Sequence, residues 1–282
     1  MSDLKFTQKI RPSTDFGSFD GSPKNKMPEL INSGFEFGNY RDLGIARNPK
    51  HNPDENDRSL LFNNYFTLPG NPVLGNPRGN DEQTIIVDLD HKSVAEIKAL
   101  VASLNKDTKL NDTYALEVPQ EMYDAIRSIP GATHTLKPSL VKALREDAYS
   151  NRSARQAIVE AFFKGNLTEA KEYTNLVKEN HKTKNINGVL GFYPGNFTGM
   201  RLVWAGSVGN SNAIANCSHA LHNNYGRLFG VGARGAGAPT NKGNGQILSL
   251  EELAVLKAYR SNEPLIKTSN GVYIFSDKVQ IK

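Results

Sequence analysis

Between residues 84 and 164 the apolar residues change period in a set order, and that order restricts the possible folds more than any other feature. Thr84-Ile85-Ile86-Val87-Asp88-Leu89 is a run of β-formers. Ser93-Val94-Ala95-Glu96 has the spacing of a capping box, in which a serine accepts from an orphan backbone N–H and a glutamate three residues on bonds back. Val94, Ile97, Leu100, Val101 and Leu104 then recur at helical spacing. Residues 114–118 read as a second strand, and Pro119 is placed to open another helix. Strand–helix–strand–helix is the order of a layered unit.

Downstream, Met122, Ala125, Ile126 and Ile129 share a helical face that Pro130-Gly131 stops. Leu140, Val141 and Leu144 begin another helical pattern, residues 154–163 a third that ends at Gly165, and residues 167–181 a fourth with alternating charges on its outer side. Residues 185–245 are dense in glycine, with 200–205 as the best strand and 216–225 as a helical turn. Backbone this poor in side chains is a loop or a strand that must approach something closely. Ser249-Leu250-Glu251-Glu252 repeats the capping-box spacing. Asn270-Gly271 between two β runs then predicts a closing hairpin, because both central positions favour positive φ. The fold expectation is α+β: a small mixed sheet with several helices, a long irregular N-terminal arm, a Gly-rich β region and a C-terminal β-hairpin. The expected division is 1–83 for the arm, 84–184 for the α/β and helical core, and 185–282 for the Gly-rich region.

The arm is inferred from eight of the 14 prolines and from turn pairs such as Asn48-Pro49 and Asn52-Pro53. It also carries Phe6, Phe16, Phe19, Phe35, Phe37, Tyr40, Phe62, Tyr65 and Phe66. Each ring left in water forgoes burial worth about 1.5–3 kcal/mol. A proline-broken leader with nine rings therefore suggests anchors that bind neighbouring subunits.

The 282 residues carry a formal charge of +5, and no run is long and apolar enough for a membrane helix. A single cysteine and the lack of a signal-like N-terminus fit synthesis and retention in a cytoplasm, or a virion assembled there. No Asp or Glu occurs in 185–250, where Arg201, Arg227, Arg234 and Lys242 stand, so these four are the candidate anion or nucleic-acid contacts. Tyr193, Phe197, Arg201 and Trp204 interleave bases with rings only weakly, and Trp204 reads as core.

Chemical constellations are sparse. Cys217, His219 and His222 offer three ligands where structural zinc takes four, and no histidine is spaced to act as base for a Cys217 nucleophile. Gly230-Val231-Gly232-Ala233-Arg234-Gly235 matches G-x-G-x-x-G, but Pro239 follows where a helix is required. Asp88 and Asp90 alternate onto one face at a strand end, as a cation site or as ordinary solvated carboxylates. No metal or cofactor is expected. The functional expectation is a non-enzymatic subunit of a large assembly, such as a phage particle, bound to other subunits through the arm. The alternatives are a nucleic-acid-associated protein using the Gly-rich basic region, and an enzyme centred on Cys217 or Asp88/Asp90.

Overall fold

The structure, a computed structural model, describes residues 5–11, 14–52, 54–76, 84–137, 140, 152–180, 192–208, 215–217, 220–232, 265–267 and 273–275. The strands are β1 (Lys5–Arg11), β2 (Thr14–Asp20), β3 (Phe35–Phe37), β4 (Phe66–Gly75), β5 (Thr84–Val87), β6 (Thr133–Leu136), β7 (Phe192–Tyr193), β8 (Gly199–Ala205), β9 (Ala215–Asn216), β10 (Arg227–Gly232), β11 (Leu265–Lys267) and β12 (Tyr273–Phe275). The α-helices are α1 (Pro23–Asn32), α2 (Tyr40–Arg47), α3 (Glu55–Asn63), α4 (Ala95–Ala102), α5 (Gln120–Ile126), α6 (Arg152–Phe163) and α7 (Leu167–Asn180).

Ten strands form one mixed, open sheet in the order β1-β2-β10-β4-β8-β9-β7, with β3 also on β10 and β5-β6 extending from β4. The α+β expectation holds. One face buries Phe66, Leu68, Val73, Val203, Phe229 and Val231 against α2, α6 and α7. The other buries Leu74, Ile85, Val87, Met200, Leu202 and Leu228 against α1, α4 and α5. Strand residues of alternate parity serve the two layers, as the period of two requires.

The irregular arm is not what residues 5–76 form. They supply four strands and three helices, and the aromatic anchors close this chain's own core: Phe16, Phe19, Phe35, Phe37, Tyr40 and Phe66 are buried. Phe62 and Tyr65 are partly buried, and Phe6 lies in β1 opposite Phe16. Asn48-Pro49 does lie in the connection between α2 and α3, but other breakers sit inside regular structure or cap it. Pro23 occupies the first turn of α1, where its missing N–H costs nothing. Pro69 and Pro72 flank an irregularity in the β4–β8 register, where ladder donors are not needed. Asn39 and Asp42 form a capping box on α2, and Asp54 caps α3.

The expected division at 83/84 and 184/185 does not follow the sheet. β4 and β5 pair across the first boundary, and β10 pairs with β2, β3 and β4 across the second.

The local expectations divide similarly. The helices at 154–163 and 167–181, the helix after Pro119, the strand at 200–205 and the closing hairpin are all present as α6, α7, α5, β8 and β11–β12. The capping box at Ser93 is not made: a 3-10 turn at Lys92–Val94 intervenes, and His91 accepts from the Ser93 N–H instead. Residues 114–118 make a single bridge, Leu116 to Met200, because Tyr114 turns the chain at φ 55°. Of the stretch 216–225, the described residues are the end of strand β9 (Ala215–Asn216) and a turn closed by the Asn223 N–H on Ala220 O, and none is α-helix. Gly230 and Gly232 lie in β10, and a Cβ at Gly230 would stand 2.8 Å from that of Phe35, so this part of the glycine run is a close backbone approach. The helical patterns from Val141 and from Ser249 lie outside the described residues.

Candidate functional site

The sheet is covered unevenly. Tyr193, Asn216, Trp204, Thr67, Leu228 and Phe19 stand opposite one another across β7, β9, β8, β4, β10 and β2. Residues paired this way project to one face. Phe19, Leu228 and Thr67 are buried, Trp204 and Asn216 are half-buried, and Tyr193 is 36% exposed. The row thus runs from the core beneath α1 to an open end.

Further rings gather at that end. Tyr65 stacks on Trp204 with centroids 4.5 Å apart and planes 9° apart. Tyr225, 79% exposed, lines a shallow hollow of about 10 Å³ together with Trp204 and Asn223. Tyr114, 55% exposed, lies 4.6 Å from the His222 ring. Tyr114, Tyr193 and Tyr225 are three of the four large hydrophobic side chains exposed among the described residues.

Hydrogen bonds to backbone carbonyls pin the connections that carry them. Arg47 donates to the Gly206 carbonyl at 2.9 Å, and the Val208 N–H to Phe62 O at 2.7 Å. The Cys217 N–H bonds Tyr193 O at 2.8 Å, and the Leu221 N–H bonds Tyr114 O at 3.3 Å. The Gly21 N–H closes on Gly226 O. Exposed tips on a fixed frame are the usual arrangement of a binding surface.

The described residues between 206 and 226 include no Lys, Arg, Asp or Glu, and they carry Asn216, Asn223 and Asn224. Tyr, Ser, Asn and Gly are the residues of antibody-type binding loops: rigid amphipathic rings with adaptable hydrogen-bonding groups between them. That composition was the available signal for this face, and a reading confined to charge passes over it.

The expected anion contacts lie elsewhere. Arg201 is buried, donating to Cys217 O at 2.9 Å and to Thr113 O, with its guanidinium 4.7 Å from the Phe197 ring centroid. Arg227 is taken up by Asn64 at 3.4 Å and by Asp20 at 3.9 Å. Arg234 and Lys242 lie outside the described residues. Cys217 is wholly buried, and burial pushes its thiol far up, with the Arg201 charge offsetting only part of that. Such a thiol does not supply a nucleophile. His222 is on the surface; His219 lies outside the described residues.

Asp88 and Asp90 do converge, but on Lys164, whose Nζ is 3.0 Å and 2.6 Å from them. Burial opposes the Lys164 charge, yet the bonds to both carboxylates outweigh it and raise its pKa. No group of three or more His, Cys, Asp or Glu among the described residues is placed to hold a metal. No helix among them is long and apolar enough to cross a membrane. The roomier hollows, about 350 Å³ between α3 and α7 and about 640 Å³ beside β6 and α6, include none of the exposed tyrosines.

No protein-family profile matches the chain, and no curated protein matches it. A solved structure from Nanoarchaeota, described as "Accommodation of massive sequence variation in Nanoarchaeota by the C-type lectin fold", is similar at a TM-score of 0.51 and 12% identity, covering 79% of this chain and 100% of that one. That likeness concerns the fold: the frame is similar to a C-type lectin fold.

Proposed function

We propose that this chain is a non-enzymatic recognition protein that docks a partner protein on the face formed by Tyr114, Tyr193, Trp204, His222 and Tyr225. The observation that carries the reading is that Tyr114, Tyr193 and Tyr225 are exposed beside Trp204, Asn216, His222 and Asn223, where the described residues from 206 to 226 carry no charged side chain. Protein interfaces are enriched in Tyr and Trp and depleted in charge at their centres. The hollow on this face holds about 10 Å³, against roughly 300–1,000 Å³ for small-molecule pockets, which favours a surface over a ligand.

The comparison lends a second support. The Nanoarchaeal protein is described as accommodating massive sequence variation on a C-type lectin fold. We infer the same separation here, with a frame held by buried residues and a face free to specialise. The partner contact proposed here runs through this face and not through the N-terminal rings, six of which are buried in this chain's own core. Nucleic acid is the less favoured partner, because Arg201 and Arg227 already have partners of their own.

The test is a joint Tyr114→Ser, Tyr193→Ser and Tyr225→Ser variant, immobilised beside the unaltered chain in extract from the source cell. A protein retained by the unaltered chain and lost from the variant, at equal thermal stability, is the expected outcome. Equal retention by both overturns the proposal.

A further inference from the structure

We propose that Arg201 is the positioning residue of this face: its guanidinium fastens the connection bearing Tyr114 to the β9 end of the sheet, so that both halves present one surface. The inference rests on the docking reading, but its test needs no partner. A failed clamp and a failed docking face are therefore told apart.

Arg201 sits on β8 opposite Val73, with its side chain buried. Nη1 donates to Cys217 O and Nη2 to Thr113 O, carbonyls 104 residues apart in the chain (217 minus 113). Thr113 immediately precedes Tyr114. Cys217 follows Asn216, and its N–H bonds Tyr193 O. One side chain therefore joins the segments that carry Tyr114 and Asn216, and the Cys217 N–H ties that of Tyr193 to them. The Phe197 ring, 4.7 Å from the guanidinium carbon, closes over the cation and keeps its plane fixed.

The chemistry calls for arginine. A planar guanidinium presents five donors in a rigid fork and holds two carbonyls in a set relation, whereas a lysine ammonium is a point charge on a flexible stem. Lysine at this position would keep one carbonyl and release the other. The absence of Asp and Glu from 185–250 had marked Arg201 as a cation waiting for an anion. Its donors face inward, and the positive charge is used to organise backbone.

Cys217 supplies the reporter. It is the only cysteine, it is wholly buried, and its own carbonyl is one of the two that Arg201 holds. Alkylation by iodoacetamide, followed by mass, reads opening of the β9 end without ambiguity of site.

In Arg201→Met the alkylation rate should rise about ten- to a hundredfold, the factor expected for losing a charged hydrogen bond. Amide exchange at Cys217 and Leu221 should rise with it, while exchange in the β4–β8 ladder at Leu68 and Val203 stays within about twofold. Arg201→Lys should free one connection only, raising exchange at Cys217 or at Leu221 but not both. An unchanged alkylation rate overturns the clamp. So does a uniform rise at every amide, which marks a loss of overall stability. If Arg201→Met does not fold, Arg201→Lys decides alone: behaviour identical to the unaltered chain at Cys217 and Leu221 refutes the proposal.

Discussion

Replacing Arg47 by methionine tests how the frame holds the binding segment. Arg47 is a wholly buried cation whose donors reach Leu61 O at 2.9 Å, Tyr173 Oη at 2.7 Å, Gly206 O at 2.9 Å and Asn64 O at 3.4 Å. It thereby joins α2 to the end of α3, to α7 and to the start of the connection after β8. Two effects oppose each other on substitution. Methionine removes a buried charge that is costly to desolvate, but it strands buried carbonyls at about 1–3 kcal/mol each. Two carbonyls and the phenol are firmly bonded, and the Asn64 contact is long, so the stranded groups dominate. The expected net loss is about 3–5 kcal/mol, in line with breaking a buried charged network. Urea unfolding followed by circular dichroism should then show a midpoint lower by about 1–2 M at unchanged slope. A loss under about 1 kcal/mol would refute the reasoning, because the guanidinium would not be what satisfies those carbonyls.

Further expectations follow from single contacts. Lys164→Ala should cost at most about 1 kcal/mol, and the loss should vanish in 1 M salt, since its partners Asp88 and Asp90 are partly exposed. Gly199→Ala should cost more than about 2 kcal/mol by thermal unfolding, because φ is +86° and the added Cβ would lie 2.3 Å from Leu116 O. Burial pushes the His134 imidazole below its ordinary value of 6.5, against the opposing pull of Glu160 and Asp88. The unfolded chain then binds the extra proton first, so stability should fall as pH drops below about 6.5 and level off beneath the folded value. His134→Gln should flatten that part of a stability–pH profile. Tyr225→Ser should leave the melting temperature unchanged, since the side chain is 79% exposed.

Elements with a local cause were legible in the sequence. α6 and α7 follow from apolar spacing over 12 and 14 residues, and the pairing of β11 with β12 from two short β-forming runs close together in the chain. The N-terminal quarter was not, because its strands are fixed by partners far along the chain. Phe16 and Phe19 lie in β2, which pairs with the adjacent β1 but is placed in the sheet by β10, more than 200 residues on. Pro69, Gly70 and Pro72 read as breakers, yet they make the β4 irregularity from which Asn71 accepts the Tyr40 N–H at 2.7 Å. Six of the nine rings are sheltered from water by this chain itself. The docking face was half legible. Tyr193 and Trp204 were noticed together, but the opposition of Tyr193, Asn216 and Trp204 depends on registers among β7, β9 and β8. Tyr114 joins them only through the fold.

The central claim is tested most directly by a photo-crosslinking phenylalanine analogue placed at Tyr225 and, in a matched chain, at the exposed Gln156 of α6 on the opposite layer. Irradiated in the cell that makes the protein, the Tyr225 chain should give one discrete protein adduct and the Gln156 chain none. Adducts of the same mass and yield from both positions, or none from Tyr225, would contradict the account.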